Sequence, residues 1–163
     1  MKTIDIEIAV MKYFGVRRHI IVPNVYWGIG IDYECDLVVL TNSGYATEIE
    51  IKVSKGDLLK DKNKKHNHDS NYFKYLYFAV PKRLEEVALA NIPERAGLLV
   101  VENKKIRTFT NEFYKIETDE IKKPTKNKQA HKWDFKERLN LTRLGTMRIL
   151  GLKEKIRQKM YNY

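Results

Sequence analysis

The stretch from Asp36 to Lys52 constrains this chain more than any other. Two apolar-rich runs flank Asn42-Ser43-Gly44, which is a strong hairpin signal. With a three-residue loop and Gly44 in the left-handed position, Thr41 faces Tyr45. Pairing outward from there sets Asp36 opposite Glu50. Side chains alternate along a strand, so Glu48, Glu50 and Lys52 project from one face and Asp36 joins them. Carboxylates crowded in this way repel one another, and burial without a partner costs more still. A divalent cation bound by hard oxygen ligands relieves the repulsion. Glu48 is expected to be an exposed strand acid, the alternative being an outer-shell group of the same site.

Asp36 at the start of one strand, a turn, and Glu50-Ile51-Lys52 on the next strand resemble the PD-(D/E)xK nuclease signature. The stretches 51–62, 77–81 and 92–100 are similar to the MmcB-type DNA-repair proteins of that superfamily, and the likeness spans residues 34–102. Cys35 stands where the superfamily name has its proline. The resemblance implies an α/β (mixed α+β) fold with a restriction-endonuclease-like core, a mixed β-sheet flanked by helices. It implies Mg²⁺- or Mn²⁺-dependent hydrolysis of phosphodiester bonds in DNA, in repair, recombination or phage DNA metabolism. Asp36, Glu50 and Lys52 would be catalytic. Glu7, Asp36, Glu50 and the Ile51 carbonyl would hold the metal, while the Lys52 ammonium orients water or neutralises a phosphate oxygen.

Glu7 enters through the first helix. Residues 3–15 have helical periodicity, with Thr3 as cap and Gly15 as stop. On the wheel Glu7 falls within the stripe of Ile4, Val10, Met11 and Phe14. An acid there needs a partner, and many nucleases of the superfamily carry a first-helix Glu that completes the metal shell; the alternative is a Glu at the edge of the stripe, snorkelling or paired with Arg17 or Arg18.

Charge distribution adds a second line of argument. Residues 103–163 hold 17 Lys and Arg against 7 Asp and Glu, whereas residues 1–102 hold 14 of each, so the whole excess of +10 lies in the last third. Such asymmetry suggests a nucleic-acid partner or another polyanion. Lys55, Lys62 and Lys65 on the helix after the hairpin, and Arg138, Arg143 and Arg148 near the C-terminus, are the expected contacts. His66 and His68 lie on different helix faces with no cysteine near, which argues against zinc. Gly28-Ile29-Gly30 lacks the rest of a dinucleotide fingerprint.

In chain order the pattern predicts a strand at 19–27 broken at Pro23, the hairpin at 33–41 and 45–53, and a helix over 55–68 capped by Ser54. A strand at 72–80 and a helix at 83–91 follow. A strand at 97–101 then pairs with 106–110 across a turn at 102–105. Residues 111–132 read as a loop, and 133–160 as helix broken at Gly145 and Gly151 into two or three pieces. A core over 1–115 and a basic linker with helices packed on it over 116–163 are expected. No apolar run approaches the ~20 residues that cross a membrane. The N-terminus lacks the apolar segment of a secretory signal, and the lone Cys35 suits a reducing cytoplasm. The oligomeric state stays open, a homodimer included. The competing functions are a nucleic-acid-binding adaptor that keeps the fold without turnover, and a protein-interaction domain whose basic tail meets an acidic partner.

Overall fold

At Asn42-Ser43-Gly44 the chain reverses as its turn residues dictate. Gly44 has φ +86°, the Gly44 N–H donates to the Thr41 carbonyl at 2.9 Å, and the Thr41 N–H donates to the Tyr45 carbonyl at 3.0 Å. Thr41 therefore faces Tyr45. The computed structural model that shows this describes residues 1–61, 70–107 and 112–161.

The elements are α1 (Thr3–Phe14), β1 (Ile20–Val25), β2 (Cys35–Leu40), β3 (Ala46–Ile51), α2 (Lys55–Asp61), β4 (Phe73–Pro81), a short 3-10 turn (Lys82–Leu84) leading into α3 (Glu85–Leu89), β5 (Gly97–Arg107), β6 (Glu112–Lys122) and α4 (Phe135–Tyr161). One mixed sheet takes the six strands in chain order. β1, β2 and β3 pair antiparallel, β4 and β5 extend β3 in parallel, and β6 returns antiparallel to β5. The parallel steps need crossovers, which α2 and α3 provide. This is the mixed sheet flanked by helices that the sequence predicts.

Period-two alternation splits the core between the two faces. Leu37, Val39, Ile49, Ile51, Ala79 and Leu99 meet Ile6, Ala9 and Val10 of α1 on one face. On the other, Val22, Val38, Leu40 and Ala46 meet Trp133, Leu141 and Leu144. Beside them Leu76, Phe78, Leu98 and Val100 meet Leu58 of α2 and Ala88 of α3. The buried face of α1 is thus centred on Ile6, Ala9 and Val10 rather than on Ile4, which is exposed. Its start also differs: Lys2 is the N-cap, and its N–H donates to the Asp5 carboxylate at 2.7 Å.

The C-terminal third departs most from the sequence reading. The expected turn at 102–105 is mid-strand, because β5 and β6 form a long ribbon in which Glu102 pairs with Glu117 and Lys104 with Lys115. Lys104 lies 2.8 Å from the Glu117 carboxylate and 3.5 Å from that of Asp119. Charges that resemble a turn in sequence are cross-strand partners here. β6 runs through residue 115, so the sheet extends past the expected core boundary to Lys122. α4 is one helix of 27 residues. Gly145 costs it about 1 kcal/mol relative to Ala without breaking it. It also lets the helix approach β1, where an added Cβ would stand 3.3 Å from Val22. Asp134 and Glu137 cap the helix reciprocally, each backbone N–H donating to the other's carboxylate at 2.7–2.8 Å. Among the described residues no helix is long and apolar enough to cross a membrane.

Candidate functional site

β3 lies inside the sheet between β2 and β4, with α1 packed over one face and Trp133, Leu141 and Leu144 over the other, so all six of its residues are buried. Its acids are sealed accordingly: Glu48 is 0% exposed, Glu50 1% and, just beyond the strand, Lys52 4%. Leu37 pairs with Ile49, and the same register sets Asp36 abreast of Glu50. The half-buried Asp36 carboxylate accepts the Ile51 N–H at 2.7 Å. A strand residue turns its N–H and C=O toward the same neighbour, so the Ile51 backbone faces β2 and Asp36. The Lys52 N–H points the other way, to the Ala79 carbonyl at 3.0 Å. Its ammonium donates to Glu50 Oε2 at 2.7 Å. The sequence-predicted trio of Asp36, Glu50 and Lys52 therefore meets at one end of the hairpin.

Glu48 corrects the sequence reading, which had it exposed. Tyr33 Oη donates to its Oε2 at 3.3 Å and Cys35 Sγ approaches its Oε1 at 3.8 Å. Burial pushes the Cys35 thiol well above its ordinary range, and the negative charges of Glu48, Glu50 and Asp36 push it further. Burial and Glu48 raise the Tyr33 hydroxyl in the same way. Sequence reasoning missed this network because the residues that close over this face of β3 come from the distant C-terminal part of the chain.

Glu7 stands apart from that group. α1 packs on the sheet face opposite to Glu48 and Glu50, and Glu7 is only partly buried at the helix edge. Burial raises its carboxyl and the charge of Asp36 raises it further, so these two acids share a field. Among the described residues no three His, Cys, Asp or Glu side chains gather closely enough to hold an ion. The sheet itself separates Glu7 from Glu50. A two-carboxylate set of Asp36 and Glu50 remains, joined by the Ile51 carbonyl, and these hard oxygen donors suit Mg²⁺ or Mn²⁺.

The expected phosphate contacts divide. Lys55 is exposed in the first turn of α2, where Ser54 Oγ accepts the Asp57 N–H at 3.2 Å. Lys62 and Lys65 lie outside the described residues, as do His66 and His68. Arg138 belongs to the far end of the hairpin: its Nε donates to the Trp133 carbonyl at 2.7 Å and its guanidinium covers Gly44. At ~3.3 Å per residue that end is roughly 20 Å from Lys52, so Arg138 lies away from the Asp36–Glu50–Lys52 group. Arg143 is exposed. Arg148 donates to the Asn24 carbonyl and lies 5.3 Å over the Tyr26 ring. The three arginines do not form one stripe.

No family model and no curated protein matches the chain. Among solved structures it is similar to the SPO1766 protein of unknown function from Silicibacter pomeroyi, with TM-score 0.61 and 14% identity over 99% of this chain and 94% of that one. At that identity the likeness is one of fold: a mixed α+β domain built on a six-stranded mixed sheet.

Proposed function

We propose that this chain is a metal-dependent phosphodiesterase acting on DNA, with Asp36, Glu50 and Lys52 as its reactive groups. One observation carries the reading: Lys52 and Glu50 form a buried ion pair on one sheet face, 2.7 Å apart, with Asp36 abreast at the same strand end. A buried ion pair adds little stability over an apolar pair of the same size. Retaining one beside a further acid favours a chemical role. The likeness of the surrounding stretches to MmcB-type proteins supports DNA repair, recombination or phage DNA metabolism as the setting. A lone reduced thiol suits the cytoplasm.

In this reading Asp36, Glu50 and the Ile51 carbonyl would hold Mg²⁺ or Mn²⁺. When bound, the ion supplies Lewis acidity and charge neutralisation at the phosphate. Asp36 is the half-buried member of the set, so substrate meets it first. Its bond from the Ile51 N–H fixes its orientation. Lys52 fixes the Glu50 rotamer and brings a positive charge to where a phosphate oxygen gains negative charge in the transition state. Lys55 follows at the start of α2 as a phosphate contact.

A second reading, a nucleic-acid-binding adaptor without turnover, is favoured by the failure of three acids to converge among the described residues. Titration with Mn²⁺, followed by electron paramagnetic resonance, separates the two. The nuclease reading expects wild-type protein to bind Mn²⁺ and Asp36→Asn to lose it, with DNA affinity in EDTA unchanged. Equal Mn²⁺ binding by both proteins would remove Asp36 from the site, and none by either would favour the adaptor.

A further inference from the structure

We propose that Tyr26 and Trp27 form a stacking platform for unpaired nucleotides, so that the substrate taken to the Asp36 end of the sheet is single-stranded nucleic acid or the unpaired part of a branched one. The inference rests on the nuclease reading for the site and adds the form of the substrate.

The position comes from the β1–β2 register. Pro23 pairs with Leu37 and Val25 with Cys35, which sets Asn24 abreast of Asp36. Tyr26 and Trp27 leave the strand two and three residues after that level. Both stay open, at 54% and 50% exposure, although Ile29 two residues on is buried at 1%. The loop has access to the core and spends it on Ile29, leaving two adjacent aromatic rings in solvent. It is held firmly behind them. Asn140 Nδ2 donates to the Gly28 carbonyl at 2.8 Å, and Tyr33 donates to Glu48. Arg148 donates to the Asn24 carbonyl and covers Tyr26 as a cation–π partner.

Charge selects the occupant. Arg148 also lines a cleft of ≈ 520 Å³ between α1, β1 and α4, together with Glu7 and Pro23. Arg143, one helical turn from Asn140, is exposed. Tyr26 lies beside Arg148, with exposed Arg143 further along α4 and the exposed acids Asp32 and Glu34 in the same loop; the arginines belong to the basic last third of the chain, and rings beside that surface fit a polyanion with stackable bases. Duplex DNA hides those faces inside its stack, so an unpaired strand is the form that can use both rings. Such stacking tolerates any base.

The test reads binding in EDTA, where turnover cannot contribute, by anisotropy of labelled oligothymidylate, oligouridylate and a blunt duplex. The expected result is that Tyr26→Ala/Trp27→Ala weakens single-strand binding about tenfold or more and changes duplex binding less than twofold. Trp27→Phe should keep most of the affinity. Wild-type tryptophan emission should be quenched by oligothymidylate, with the change lost in Trp27→Phe, because Trp133 is buried at 1%. Equal weakening on single strand and duplex, or no weakening on either, would overturn the platform. Oligothymidylate against oligouridylate separates DNA from RNA. A protein that binds single strands through these rings yet never cleaves them would keep the platform and refute the nuclease.

Discussion

Lys52 Nζ and Glu50 Oε2 lie 2.7 Å apart, two residues apart on one face, with side chains 6% and 2% exposed. Removing one partner leaves the other charge buried. Lys52→Met should therefore cost roughly 3–5 kcal/mol, whereas Lys52→Met/Glu50→Leu should be near neutral or stabilising. Urea unfolding of the four proteins of this cycle measures the coupling. Additive losses would mean that the pair is not coupled.

The Glu7 carboxyl gives a pH dependence. Its folded pKa is raised above 4.5, first by burial and then by Asp36. A raised acid binds its proton more tightly when folded, so its penalty is absent below the unfolded value. It grows as pH rises through the folded value and is complete above it. Glu7→Gln should thus stabilise at pH 7 and do little at pH 4. Thermal melts at both pH values check this, and a stabilisation of equal size at pH 4 would contradict the cause given.

Cys35 should be chemically silent while the chain is folded. Burial and three neighbouring carboxylates push its thiol up, and the thiolate is the reactive form. A thiol reagent at pH 8 should modify it only at the rate of unfolding, and fully in urea. Rapid modification of native protein would show that Cys35 is accessible.

Gly44 combines a left-handed backbone with the Arg138 guanidinium laid across it. Gly44→Ala should cost about 1–2 kcal/mol for the backbone, plus a further loss from displacing Arg138. In an Arg138→Ala background only the backbone share should remain. Chemical denaturation of the double-mutant set measures the difference.

The hairpin was legible because its register follows from local chemistry: Asn42-Ser43-Gly44 sets the loop, and alternation then carries Asp36 to Glu50. The burial of Glu48 was not, since it depends on Trp133, Leu141 and Leu144 closing over that sheet face from the far end of the chain. The same holds for Arg138, whose partner Gly44 is almost one hundred positions away in the chain. The β5–β6 ribbon was missed for another reason. Its charged residues carry neither the apolar alternation nor the turn residues by which strands are recognised, and the Lys104 pairs with Glu117 and Asp119 form only when the two strands lie side by side. For Glu7, the helix was legible but its rotation was not, because Ile4 and Ile6 compete for the buried face and Ile6 wins.

Cleavage of end-labelled single-stranded, duplex and flapped DNA with Mg²⁺, Mn²⁺ or EDTA tests the account most directly. Wild-type protein is compared with Glu50→Gln and Lys52→Met, each first shown to be folded by circular dichroism at the assay temperature. The account predicts metal-dependent products from wild-type protein, none in EDTA, and a loss of at least a hundredfold in either variant. Wild-type protein that binds the DNA and leaves it intact with both metals would contradict it, as would undiminished cleavage by Glu50→Gln.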